Sequence, residues 1–157
     1  MTVISITLIS SQLNAQNETT PKRSAMLDVY EDINLPPWTG NGDQAGDADI
    51  CIGSSSLAFT IKGVGARTSD NGDKFFSLKG DKGNKLPFQL YFVSQNTVIE
   101  LEPSIPKGPI RTDATAQDCA DHHIVTATLR AVLQEHHLAA SPAGSYSGKV
   151  NLIVQAE

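Results

Sequence analysis

Basic charge is scarce in this chain. Its 157 residues carry 12 Lys and Arg against 17 Asp and Glu, a formal net charge of −5, and no Lys/Arg cluster offsets that balance. This argues against a nucleic-acid partner, which needs a basic footprint. Long apolar runs are lacking too. Nothing approaches the roughly 20 residues of a membrane-spanning helix, so no membrane insertion is expected. Cysteine is limited to Cys51 and Cys119. They form neither a C-x-x-C pair nor a zinc-ligand spacing. With an export segment upstream they read as one disulfide; the competing reading is two unpaired buried thiols. Signatures of catalysis are missing as well. No serine sits in a Gly-x-Ser-x-Gly turn, and Gly63-Val64-Gly65 lacks the third glycine and the helix of a phosphate-cradling loop. No enzyme activity and no cofactor are expected.

What is present is turn chemistry and alternation. Twelve Gly and eight Pro are spread along the chain, which favours many short elements and an all-β domain. Hydrophobic residues at 39% and charged residues at 18% suit one ordinary domain with a modest core. The clearest stretch is residues 142–156. After a turn cluster at 141–144, Tyr146, Val150, Leu152 and Val154 share one parity, with Lys149, Asn151 and Gln155 on the other. That is a strand with one buried face. Leu86, Phe88, Leu90 and Phe92 repeat the pattern, as do Leu57, Phe59 and Ile61. The rest is expected to be a sandwich built around the 142–156 strand.

The remaining segments are read as follows. Residues 1–16, apolar and then small and polar, look like the second half of a secretory signal peptide without its basic start. The alternative is a β-strand, since Ile4, Ile6 and Leu8 share a parity. Residues 17–26 read as a flexible arm. One strand is expected between Met26 and Leu35, stopped by Pro36-Pro37. Trp38 then reads as a core-edge anchor. Residues 39–49 are expected to be a loop. Its Asp43, Asp47 and Asp49 invite a calcium reading, but their spacing is not that of an EF-hand. Residues 66–74 read as a loop, and 102–112, with three prolines, as an edge or crossing segment. Cys119 is placed in a turn. Residues 124–133 fit strand or helix, with the β-branched start favouring strand. The pairs His122-His123 and His136-His137 are read as exposed loop residues and not as chelates, because neighbours on a strand point to opposite faces.

The ending Gly144-Ser-Tyr146-Ser-Gly-Lys-Val150-Asn-Leu152-Ile-Val154 resembles the terminal strand of bacterial pilus subunits of the chaperone–usher pathway, in their archaic and alternative branches and spore-coat-U-like domains. The stretches Asp49-Ile-Cys-Ile-Gly-Ser54 and Leu86-Pro-Phe-Gln-Leu-Tyr-Phe92, and a second cysteine ahead of the penultimate strand, agree with it. The resemblance implies an immunoglobulin-like antiparallel β-sandwich over residues 27–157 that lacks its final strand. It leaves a groove beside Tyr146, Val150, Leu152 and Val154, and it carries over a Cys51–Cys119 disulfide. It also implies export through the periplasm to a cell-surface pilus. The partners would be a periplasmic chaperone, an usher and neighbouring subunits, with residues 17–29 as donor strand. The rival is a monomeric secreted binding module or a pilus-tip adhesin acting through residues 39–49 and Trp38.

Overall fold

The computed structural model describes residues 3–12 and 23–157. In chain order the strands are β1 (Val3–Gln12), β2 (Ala25–Val29), β3 (Ile33–Leu35), β4 (Gln44–Ser54), β5 (Ala58–Gly65), β6 (Arg67–Asp70), β7 (Asp73–Gly80), β8 (Lys85–Ser94), β9 (Thr97–Glu100), β10 (Lys107–Arg111), β11 (Ala127–Leu133) and β12 (Ser145–Ala156). Two short helices interrupt them, α1 (Ala116–His122) and α2 (Glu135–Ala140).

The strands form an immunoglobulin-like sandwich, curled so that one hydrogen-bonded path runs through both layers. One layer is β2-β4-β11-β8, with β9 on β8. The other holds β10-β5-β12, with β1 against the far edge of β12 and β3 beyond β1. Strand β7 joins them, pairing Phe76 to Lys79 with β8 and Lys79 and Gly80 with β12. Alternation decides what fills the space between. Phe59 and Ile61 of β5, Phe88, Leu90 and Phe92 of β8, and Val150, Leu152 and Val154 of β12 all point inward and are buried. Phe76 stacks on Phe88 at 5.6 Å and Phe59 meets Phe92 edge-on at 5.9 Å, both favoured ring geometries.

Several expectations change in the structure. The single strand foreseen between Met26 and Leu35 is two, because Glu31 and Asp32 carry the chain from one layer to the other. The loop foreseen at 39–49 ends at Asp43; from Gln44 the chain is already β4, paired with β11 through Gln44–Leu133. The loop at 66–74 is a hairpin whose turn residues Asn71 and Gly72 have φ of 50° and 90°. Two consecutive positive φ values are what an Asn-Gly pair supplies in a two-residue hairpin turn. Residues 127–133 form strand β11, with α2 after it. Cys119 lies on helix α1, not in a turn. That helix opens with a capping box: Thr115 Oγ1 accepts from Asp118 N at 3.3 Å and Asp118 Oδ2 accepts from Thr115 N at 2.7 Å.

Helix α1 is held to β4 by the Cys51–Cys119 disulfide, with Cα atoms 5.6 Å apart. The two cysteines and Ala114 make a small buried cluster covered by Met26 and Tyr30. The approach is close: a Cβ on Gly53 would stand 2.0 Å from the Thr115 carbonyl oxygen, so only glycine fits there. The bridge spans 68 residues, a loop for which chain entropy assigns about 4 kcal/mol. On the outer face of β4, Arg130 and Asp47 sit opposite each other in register and form a two-point pair, Nε–Oδ1 2.7 Å and Nη2–Oδ2 2.8 Å. The hydrogen bonds from Arg130, helped by its charge, hold the Asp47 carboxyl below its ordinary value of 3.8.

Two outcomes are expected. Cys51→Ala with Cys119→Ala should lower the unfolding free energy by about 2–4 kcal/mol in urea titration, without loss of the far-ultraviolet strand signal. The Arg130 and Asp47 side chains are 48% and 43% exposed, so Arg130→Met should cost no more than about 1 kcal/mol at pH 7. A carboxyl whose folded value is depressed stabilises above its unfolded value and loses that contribution as pH falls through the folded one. The difference between wild type and Arg130→Met should therefore vanish in strong acid.

Candidate strand-docking edge

The strand β12 presents Tyr146, Val150, Leu152 and Val154 to the core, all buried, while Ser145, Ser147, Lys149 and Gln155 face outward. Its start is fixed by the tyrosine. Tyr146 Oη donates to the Pro142 carbonyl at 2.6 Å and accepts from Asn84 Nδ2. One edge of β12 is covered by β5, from Val150–Gly65 to Ala156–Phe59. The other edge is where the sequence predicted a vacancy.

In the full chain that edge is occupied by the protein's own β1, the segment that the signal-peptide reading left out of the fold. Strand β1 runs parallel to β12, in register from Val3–Ser145 to Gln12–Val154. On its far side it pairs antiparallel with β3, Ile4 opposite Leu35 and Ile6 opposite Ile33. It is therefore an interior strand. Ile4, Ile6 and Leu8 are buried among the core residues, whereas Val3 and Ile9 on the opposite parity are 48% and 42% exposed. The Asp32 carboxylate accepts from Leu8 N at 3.3 Å, and Ser11 Oγ donates to Asn151 Oδ1 at 2.9 Å. The strand alternative for Ile4, Ile6 and Leu8 describes this segment as it stands here. The signal was that shared parity; β3 as its partner left none, being three residues long.

The arm expected at residues 17–26 falls mostly outside the described residues. From Ala25 the chain is strand β2, pinned to β4 from Ala25–Ser54 to Val29–Ile50. Of the segment 17–29 expected as donor strand, residues 25–29 are paired within this sandwich and residues 17–22 lie outside the described residues.

The other candidate residues are dispersed. Trp38 lies half-buried at the core edge, and its Nε1 donates to the Gly42 carbonyl at 2.9 Å. The three aspartates suggested for calcium are each engaged separately. Asp43 accepts from Glu135 N at 2.8 Å, Asp47 holds Arg130, and Asp49 accepts from Thr128 Oγ1 at 3.1 Å. His123 closes α1 with φ of 47° and packs its ring 5.3 Å from that of Tyr30. His136 and His137 lie on helix α2, not in an exposed loop. A cleft of about 910 Å³ opens between β9 and β10, lined in part by Phe59, Phe92, Ile99, Ile110, Arg111 and Thr126. Sequence patterning gave no sign of it, because it forms where two edge strands fail to meet.

No family model matches this sequence, and no curated protein does. Among solved structures the fold is similar to a chain of the complex described as "Chaperone-tip adhesin complex is vital for synergistic activation of CFA/I fimbriae biogenesis", with TM-score 0.56 and 17% sequence identity. The match covers 83% of this chain and 41% of that one, so this chain spans about two fifths of its neighbour's length.

Burying Ile4, Ile6 and Leu8 contributes on the order of 5–9 kcal/mol, comparable with the whole stability of an ordinary domain. In the full chain Ile6→Ala should cost about 2–5 kcal/mol in chemical denaturation. Ile9→Ser, one register step from Leu8 but outward, should change stability by less than about 0.5 kcal/mol.

Proposed function

We propose that this chain is a non-catalytic structural subunit of a surface pilus, joined to its neighbours by strand donation at the edge of β12. One observation supports the reading above the others: beside β12 lies a slot, walled by β3 on its far side, that accepts an added strand through alternate apolar side chains. Main-chain pairing supplies affinity in such a slot, and the pockets for alternate side chains supply selectivity. The fold shared with a chain of a fimbrial complex is consistent with it.

In this proposal residues 1–16 are removed on export, and the slot that β1 fills is vacated. An open edge over an exposed core is an aggregation hazard until it is paired. A periplasmic chaperone fills it first, and at the usher a neighbouring subunit's strand replaces the chaperone. The incoming strand needs the inward alternation that Ile4, Ile6 and Leu8 display. The stretch 17–24, Asn-Glu-Thr-Thr-Pro-Lys-Arg-Ser, does not have it.

The cleft between β9 and β10 favours a second reading, a secreted binding module or tip adhesin. In that reading the ligand enters this cleft in place of the Trp38 surface, whose indole N–H is already bonded to the Gly42 carbonyl.

The test is the chain beginning at Asn17. It should self-associate and melt well below the full chain. A synthetic peptide of residues 2–12 should restore a monomer. The same peptide with serine at positions 4, 6 and 8 should not. A stable monomer indifferent to the peptide would remove strand donation and leave the binding-module reading.

A further inference from the structure

Helix α2 brings together side chains that the sequence keeps apart. Residues adjacent on a helix diverge by about 100°, not by the 180° of a strand. The rings of His136 and His137 accordingly lie on one side, with centroids 3.9 Å apart. Facing them is Asp70, the last residue of β6, which the tight Asn71-Gly72 turn presents at the hairpin end. His137 Nε2 is 3.0 Å from Asp70 Oδ2. One ligand atom from each of Asp70, His136 and His137 lies within 4.8 Å of the others.

We propose that Asp70, His136 and His137 form a binding site for a borderline divalent transition cation, zinc in the first instance. Two imidazoles and one carboxylate match the nitrogen and oxygen preference of such ions. Tetrahedral ligands about 2.0–2.2 Å from zinc stand roughly 3.3 Å from one another. Closing the set therefore brings the ligand atoms together by about 1.5 Å or less. The site is partly built. The His137 side chain is only 10% exposed, and its ring packs edge-on against Phe75 at 5.5 Å. His136 and Asp70 reach it from the solvent side.

Asp70 and His136 also line a cleft of about 380 Å³, together with Asp73, Lys74, Glu100, Glu102 and Gln134. Besides Asp70, three carboxylates there face one lysine, although Glu102 also pairs with Lys107. That balance favours a cation and leaves room for water or for a ligand from another molecule. Calcium and magnesium, which want six or more oxygens or several retained waters, suit the imidazoles poorly. Occupancy would tie the β6–β7 hairpin to α2, two segments otherwise joined here by the His137–Asp70 contact and by packing on Phe75.

The experiment is isothermal titration of the untagged full chain with zinc chloride in chelator-free buffer, with thermal melts beside it. One zinc per chain is expected. The melting temperature should rise by about 5–10 °C at zinc near a hundred times the dissociation constant. Calcium and magnesium at the same concentration should leave it unchanged. Asp70→Asn, His136→Ala and His137→Ala should each weaken zinc by at least about tenfold. The exposed His136 decides the matter if His137→Ala does not fold. His122→Ala with His123→Ala should bind as the wild type does. Absence of binding, or binding that survives His136→Ala and is lost with His122 and His123, would overturn the assignment.

Discussion

The pairing of β1 with β12 is the contact on which the rest of the sandwich depends. Strand β12 carries four buried side chains, and β5 covers only one of its edges. Without a strand on the other edge, its backbone N–H and C=O groups would be unpaired over an exposed apolar floor, the condition that sheet proteins avoid. Strand β1 supplies both remedies together. Its main chain pairs along the length of β12, and Ile4, Ile6 and Leu8 close the core from that side.

The direction of that pairing has a structural consequence. Parallel neighbours cannot be joined by a tight turn, and β1 and β12 lie at opposite ends of the chain. No tight turn can therefore join them; β1 is retained by its main-chain ladder with β12, by its buried side chains and by β3, which pairs with it over three residues. By contrast β8, β11 and β4 form a continuous antiparallel block of long strands, and the disulfide fastens α1 onto β4 of that same block. The fold thus has one layer built as a continuous antiparallel block tied to α1, and a second layer that β1 enters as a parallel strand.

A second, smaller asymmetry sits at the opposite side of function. The His136-His137 pair and Asp70 are separated in sequence by β7 to β11, and converge because α2 packs beside the β6–β7 hairpin. The aspartates of the 43–49 stretch show the reverse. Close in sequence, they are spread along β4 and its approach, each with its own partner. For the aspartates closeness along the chain gives no shared site, and for Asp70 and the histidines distance along it hides a meeting of side chains.

Local pattern was enough for much of the fold. Alternation at Leu86–Phe92 and Tyr146–Val154 marked β8 and β12 and their inward faces, because period 2 follows directly from strand geometry. Pro36-Pro37 marked where β3 stops and Asn71-Gly72 the turn between β6 and β7, whereas Pro87 and Pro109 lie within β8 and β10. Polar strands were the weak point: 44–49 and 67–70 read as loops because their outward faces are as polar as any turn. Helix α1 was missed although Thr115 and Asp118 spell its cap, since seven residues carry too little periodicity to announce a helix. The amino-acid sequence by itself determined most of the inward positions of the long strands, because burial is written in side-chain polarity; Leu57 and Val125, which share those parities, lie outside the strands and are exposed. Only the tertiary structure decided which strand takes the second edge of β12 and which histidines meet a carboxylate. Both are contacts between distant segments, and no local preference encodes them.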